Sequence, residues 1–292
     1  SFSGNVTKMA EASEPLPVAS LPSFQGNATR LVGKVIVITG STQGLGEGIA
    51  LACAHEGAEG LVIVGRQADK GAAVVKAVEA IGSKAIYVKA DLTEPESIKK
   101  VFEAADATFG RVDGLVNSAA VAPRGDWYTE NVELVDWVYK LNFRAPFLGI
   151  QNAAKIMKRE KRGGSIINIG SINGHGGQSN LPAYASTKGA LMTMTKHSAW
   201  ALRREHIRVN YIAVGWMYTP AEDKIMQKEG ASPDWIKGAD ADHPYGRILR
   251  PIDIAKQVIH LLSDDSVMQS GGIIDFHDKF GLCCWDGQPK ST

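Results

Sequence analysis

A three-layer α/β fold, built on a doubly wound parallel sheet of seven strands in a single domain, is predicted by three features of this sequence. Short continuous apolar runs recur along it, and amphipathic helical patterns fill the intervals. A glycine-rich turn joins the first run to the first helical pattern. Alternation of strand and helix with short polar connections implies crossovers, so helices cover both faces of a parallel sheet. Strands buried on both faces read as unbroken apolar stretches rather than alternating ones.

Residues 1–30 are rich in Ser, Ala, Pro and Asn without periodicity, and are expected to form a flexible extension. At Lys34 the character changes. Val35-Ile36-Val37-Ile38 is the first strand, ending at Thr39-Gly40, and a helix is expected from about Gly44 to His55. Further strands are expected at Leu61–Val64, Ala85–Val88, Gly114–Val116, Ser165–Ile169, Val209–Ile212 and Ile273–Phe276. Lys70 to Ile81 and Glu96 to Phe109 show amphipathic helical spacing, and further helices are expected from Pro182 and near Pro251. The domain thus spans 31–281, with 282–292 left as a tail. Pro220 to about Leu249 reads only as a long polar segment.

Composition narrows the function classes. A net charge of +1 with interspersed acids and bases gives no footprint for nucleic acid or an anionic membrane surface. No apolar run approaches the ~20 residues needed to cross a bilayer. The N-terminus shows no basic-then-apolar leader pattern. The cysteines, Cys53, Cys283 and Cys284, are sparse and imply no disulfide framework; Cys283-Cys284 lack zinc-site spacing, so no metal is expected. A reducing cytoplasm is the default, which makes the N-x-T triplets at Asn5 and Asn27 chance matches.

The chemistry concentrates in Gly170–Ala190, GSINGHGGQSNLPAYASTKGA. Tyr184 and Lys188 are one helical turn apart and share a face, while a Gly-rich loop can fold Ser171 back toward the phenol. A hydroxyl, a phenol and an ammonium together can protonate a carbonyl oxygen or accept a proton from an alcohol. Taken alone, Y-x-x-x-K is far more often a helix with a buried Tyr and a solvated Lys; the rest of the chain is what favours the chemical reading. The other half of the pattern is Thr39-Gly40-Ser41-Thr42-Gln43-Gly44-Leu45-Gly46 between the first strand and first helix. Glycines there permit close approach of a ligand, and the helix N-terminus offers free N–H groups to a pyrophosphate. The spacing is G-x-x-x-G-x-G rather than G-x-G-x-x-G.

Together these motifs resemble the short-chain dehydrogenase/reductase family over about residues 31–281. The resemblance implies a Rossmann-like fold, a nicotinamide cofactor, and hydride transfer between a secondary alcohol and a ketone (EC 1.1.1.-). It implies Gly40, Thr42, Gln43, Gly44, Leu45 and Gly46 as the cofactor turn. Asp91, followed by Leu92, matches the acid that holds the adenine amino group. Asn117-Ser118-Ala119-Ala120 stands where the family usually has N-N-A-G, keeping Asn117 and Ala119. Asn142 matches the Asn that bends the fourth helix and holds a water behind the lysine. Val214-Gly215-Trp216-Met217-Tyr218-Thr219 is similar to P-G-x-x-x-T with Val for Pro, and Thr219 would hold the nicotinamide carboxamide. By the same resemblance Tyr184 is the general acid/base and Ser171 hydrogen-bonds the reacting oxygen. Lys188 bonds the ribose hydroxyls, which places it and Tyr184 among the cofactor contacts too.

Cofactor choice turns on Arg66. Where an acid would bond the ribose 2′-OH of NAD, the second strand ends at Gly65 and Arg66 follows. A guanidinium grips a phosphate with paired N–H bonds, so NADP is preferred, with NAD possible. The competing reading is a solvated surface Arg, and Gln43 supplies no second cation. An ammonium ~5 Å from a phenolate contributes about 3 kcal/mol at an effective dielectric of ~20. That is about two pKa units, so Lys188 alone is expected to bring Tyr184 close to working range.

The segment 216–250 is expected to be the lid over the substrate. His175, Gln178, Trp216 and Tyr218 are the expected pocket neighbours. Their polarity, with Glu222, Asp223, Lys224, Lys228 and Asp234, suits a sugar or polyol, although charges facing water explain it as well. A 3-oxoacyl reductase-type enzyme and a catalytically silent NADP-sensing binding protein stay open as alternatives. A homotetramer or homodimer is the assembly the resemblance implies.

Overall fold

The computed structural model describes residues 30–176 and 178–277. The N-terminal extension up to residue 29, the tail at 282–292 and the residues Asn5, Asn27, Cys283 and Cys284 lie outside the described residues. A parallel sheet of seven strands runs in the order β3-β2-β1-β4-β5-β6-β7. The strands are β1 Val35–Thr39, β2 Gly60–Gly65, β3 Lys84–Lys89, β4 Gly114–Asn117, β5 Gly164–Ile169, β6 Ile207–Val214 and β7 Ile273–Phe276. Each contains the apolar run expected of it. Every residue of β1 is buried, because it pairs with β2 on one side and β4 on the other (Val35 with Gly60, Ile36 with Gly114).

Alternating side chains supply two cores. Ile36, Ile38, Ile49, Leu61, Ile63, Ile254 and Val258 fill one cluster, packed beneath α1 (Gly44–His55), α2 (Ala68–Ile81) and a late helix, Pro251–Leu262. Val37, Val62, Val64, Phe102, Leu115, Met157 and Tyr211 fill the other, beneath α3 (Pro95–Phe109) and helices later in the chain. The period of two along β1 and β2 divides their side chains between the two faces.

After β4 come α4 (Val132–Tyr139), a π-helical turn (Lys140–Arg144) and α5 (Ala145–Glu160). α6 (Pro182–Ala201) precedes β6. Among the described residues, no helix is long and apolar enough to cross a membrane.

The polar segment after β6 is more regular than its composition suggests. It folds as α7 (Pro220–Lys228) and α8 (Trp235–Asp242), before α9 (Pro251–Leu262). Thr219 caps α7 by accepting from the Glu222 N–H, Pro220 opens the first turn, and Glu222 and Asp223 face the positive dipole end. No apolar stripe marks these helices. A single buried aromatic, Trp235, anchors α8.

Strand order reverses between β2-β1 and β4-β5, so a crevice opens above the carboxyl ends of β1 and β4.

Candidate active site

The crevice holds a cleft of about 370 Å³ lined by the turn from Gly40 to Gly46, by Gly65, Arg66 and Asp91, and by Thr219. Its floor depends on a close approach. A Cβ on Gly46 would stand 2.3 Å from the Gly40 carbonyl oxygen, so only glycine lets α1 begin here. Gln43, at the N-cap of α1, makes no capping side-chain bond, which leaves first-turn amides available to an anion. Ser41 turns inward: its Oγ donates to the Ile38 carbonyl (2.6 Å) and accepts from the Val64 N–H (2.9 Å), tying the turn to β2. Thr39 Oγ1 accepts from the Ser118 and Ala119 amides (3.0 and 3.2 Å) and so shapes the loop after β4. Thr42, Leu45, Leu92 and Ala119 complete the walls. Glycine floor, uncapped helix end and roomy cleft fit the diphosphate of a dinucleotide.

At the outer end, Asp91 accepts from the Thr93 amide (3.0 Å) and hydroxyl (2.8 Å). Those bonds, helped by the Arg66 charge, hold its carboxyl below the usual range. Arg66 is exposed at the cleft wall. A second cation, missed in the sequence reading, stands nearby: Lys70 on α2 donates to Gln43 Oε1 (2.5 Å). One turn into α2, it had no motif to mark it.

Asn117 lies behind the wall of this cleft, in a small cavity it lines with Thr39, Leu92 and Ala119. Its Nδ2 donates to Asn168 Oδ1 (2.8 Å), and Asn168 in turn donates to Thr195 (2.9 Å), a buried amide chain joining β4, β5 and α6. Buried amides need such partners, which fixes the side chain inward.

Ser171, Tyr184 and Lys188 come together where β5 ends against the first turns of α6, outside the set of residues that line the cleft. The Lys188 ammonium lies 5.6 Å from the Tyr184 ring centroid and donates to the Ile169 carbonyl (2.8 Å). Burial brings Lys188 down to about 8. Burial pushes the Tyr184 phenol above its ordinary value; a hydrogen bond with Ser171 and the Arg124 charge pull it back, and Glu222 adds to the rise. The expectation that Lys188 alone tunes Tyr184 is therefore corrected. Lys188 stands 5.6 Å from the ring centroid and gives one of its three N–H donors to a carbonyl, and the downward pulls on the phenol come from Ser171 and Arg124.

Asn142 sits in the π-helical turn, fully buried. Its Oδ1 accepts from the Val121 N–H (2.9 Å) and its Nδ2 donates to the Val121 carbonyl (2.8 Å) and toward Thr187 Oγ1 (3.4 Å). Val121 lines the cleft and Thr187 precedes Lys188 on α6. The side chain thus clamps the loop after β4 to the helix that carries the tyrosine and lysine. Tyr211, another residue missed from sequence, accepts from the Ser171 N–H (2.9 Å) and donates to the Ser171 carbonyl (3.1 Å). It lies in the middle of an apolar strand, where a core role was the natural reading.

The expected substrate neighbours divide. Gln178 accepts from Asn173 Nδ2 (3.0 Å), next to the Ser171 segment. His175 is turned away to Asp275 on β7, its Nε2 2.9 Å from Oδ1. Trp216 stacks on Trp235 (5.4 Å between centroids) and Tyr218 also faces Trp235 (6.0 Å), with the Arg250 guanidinium 5.5 Å from the Tyr218 ring. Both aromatics therefore pack on α8 through Trp235, its one buried side chain. Trp216 Nε1 donates to Glu222 (3.0 Å). Arg124, in the loop after β4, reaches Glu222 and Glu229 on and just beyond α7 (3.3 Å each). Gly215 N–H donates to the Phe276 carbonyl (3.0 Å) rather than lining the cleft; Met217 and Thr219 do line it.

Comparison with known proteins agrees with this geometry. A family profile described as enoyl-(acyl carrier protein) reductase matches residues 40–277. An NADP-dependent (R)-specific alcohol dehydrogenase of Lentilactobacillus kefiri is 35% identical, over 83% of this chain and 94% of its own. Galactitol 2-dehydrogenase of Agrobacterium fabrum is 34% identical, over 81% and 93%. Among solved structures, L-sorbose reductase of Gluconobacter frateurii, complexed with NADPH and L-sorbose, superposes with a TM-score of 0.81 at 29% identity, covering 86% of this chain and 97% of that one.

Proposed function

This chain belongs to the short-chain dehydrogenase/reductase family, an oxidoreductase of CH–OH groups with a nicotinamide cofactor, and we propose that Tyr184 is its proton carrier, NADP its preferred cofactor and a sugar or polyol its substrate. The observation that carries the proposal is the convergence of Ser171, Tyr184 and Lys188 by the helix that Asn142 clamps to Val121, a wall residue of the glycine-floored cleft.

A bound nicotinamide supplies the site that gives or takes hydride. The residues manage the proton. In carbonyl reduction the Tyr184 phenol donates its proton to the carbonyl oxygen, and Ser171 donates a hydrogen bond to that oxygen as charge builds. In alcohol oxidation the phenolate accepts the hydroxyl proton. Lys188, protonated below about pH 8, is the group that would bond the ribose hydroxyls. Asn142 holds the helix and loop in register and stands toward Thr187, next to Lys188, where a water relay would pass. Gly40 through Gly46 would carry the diphosphate, Asp91 and Leu92 the adenine, and Thr219 the carboxamide.

Arg66 and Lys70 support NADP, since two cations flank the outer cleft where a 2′-phosphate would sit. Arg124 and Glu222 near Tyr184 support a hydroxylated substrate, for both are able to bond sugar hydroxyls. The relatives named for galactitol and L-sorbose point the same way. The acyl-linked alternative draws support from the profile's description. A cytoplasmic homotetramer or homodimer is part of the proposal; exposed Val132, Val135, Tyr139 and Phe147 on α4 and α5 support an assembly face, to be checked by sedimentation. Steady-state assays of polyols, ketoses and 3-oxoacyl thioesters with NADPH and NADH test the reading. Turnover highest on ketoses with NADPH is expected. Turnover confined to thioesters overturns the substrate, and binding of NADPH without any turnover overturns the mechanism in favour of a sensor.

A further inference from the structure

His175, Asp275 and His277 form a cluster that the reaction does not use. His175 closes the 3₁₀ turn Ile172–His175, directly after Ser171; Asp275 lies on β7 and His277 just beyond it. Nε2 of His175 is 2.9 Å from Asp275 Oδ1, and Nε2 of His277 is 3.5 Å from the same oxygen. The three donor atoms all lie within 4.8 Å of one another. Ligands about 2.1 Å from a tetrahedral zinc stand roughly 3.4 Å apart, so these separations need only small adjustment to receive an ion.

The donor chemistry is selective. Two imidazoles and one carboxylate suit zinc, cobalt or nickel rather than calcium or magnesium, which prefer all-oxygen shells. The ring of His277 is held rather than free to swing: its side chain is only 3% exposed, and its Cβ packs where a Cβ on Gly215 would stand at 2.7 Å. Asp275, with its side chain half exposed, gives an ion an entry path and leaves room for a water as fourth ligand.

We propose that His175, Asp275 and His277 bind one divalent transition-metal ion of the zinc type, tying the segment that carries Ser171 to the end of β7. The tie has a route to the reacting groups. Asp275 sits on β7 opposite Ala213 of β6, two residues from Tyr211, and Tyr211 holds both backbone groups of Ser171. This inference stands apart from the assigned substrate and cofactor, because its readout needs neither.

Full-length, tag-free protein cleared of metal by a chelator is titrated with Co²⁺ and followed by visible absorption, with Zn²⁺ as competitor and thermal unfolding as a second measurement. One equivalent of Co²⁺ giving intense low-coordinate bands, displaced by Zn²⁺, is expected, together with a higher Tm in Zn²⁺. His175→Ala, at an exposed turn, and the near-isosteric Asp275→Asn should each weaken binding at least roughly tenfold, since even partners outside the ligand shell cost that much. A Cys283→Ser/Cys284→Ser double variant should keep the bands. Absence of saturable Co²⁺ binding, affinity unchanged in His175→Ala and Asp275→Asn, or bands lost only with the cysteines would each overturn the proposal.

Discussion

The floor and the lid of the cleft are built from different materials. Beneath and beside the floor runs a lattice of buried and part-buried amides and hydroxyls: Asn142 on Val121, Asn117 on Asn168, Thr39 on the loop after β4, Tyr211 on Ser171. The lid is held by partly exposed ion pairs and stacked rings, with Arg124 on Glu222 and Glu229 and Trp216 on Trp235. Buried polar bonds are costly to break and specify one geometry, whereas exposed ion pairs contribute about 0–1 kcal/mol each. Under the proposed function, the part that places a proton is rigid by construction, and the part that admits substrate is held weakly.

The largest expected effect breaks the floor at its reacting atom. Tyr184→Phe should lower kcat by about 10²–10⁴-fold while NADPH still binds with near-normal affinity, measured by cofactor fluorescence. A near-normal rate would remove the phenol from the reaction. Asn142→Ala attacks the floor's stiffness instead. It strands the Val121 amide and carbonyl, at about 1–3 kcal/mol for each buried group, so Tm should drop by roughly 5 °C or more in a thermal melt. An unchanged Tm would mean the clamp is redundant.

Arg66→Ala probes the outer wall. Loss of a charge-assisted phosphate contact, about 1.5–3 kcal/mol, should cut kcat/KM for NADPH roughly tenfold or more and leave NADH nearly unchanged. Equal losses for both cofactors would take discrimination away from this guanidinium. The smallest effect belongs to the lid. Arg124 lowers the Tyr184 pKa, so Arg124→Ala should move the ascending, acid-side limb of alcohol oxidation to higher pH and slow it at neutral pH, by less than about tenfold. The sign follows because oxidation needs the phenolate. Lys188 is charged below about pH 8 and neutral above it, so both proteins should show a second inflection there. A shift toward lower pH would take the Arg124 charge out of the tuning of the phenol.

Most of this architecture was legible in the sequence because parallel strands and their crossover helices write period into the chain. Ser171, Tyr184, Lys188 and the Gly40–Gly46 turn were legible because short spacing keeps them near in space. What was illegible depends on contacts across long separations. Nothing local tells that Asn117 turns to Asn168, that Tyr211 reaches back to Ser171, or that His175 meets Asp275 a hundred positions later. The lid helices escaped because caps and one buried tryptophan, rather than an apolar stripe, hold them.

The π-helical turn at Lys140–Arg144 has a consequence for engineering. Such a turn carries an extra residue inside an otherwise continuous helix. Excising one residue there would restore uniform winding, yet each residue subtends ~100°, so everything upstream would rotate by that amount relative to α5. The carboxamide of Asn142 would then swing off Val121, and α4 would carry its exposed aromatic face to a new azimuth. The surplus residue behaves as a fixed gear tooth: a single-codon deletion at this point should damage the protein more than many substitutions combined.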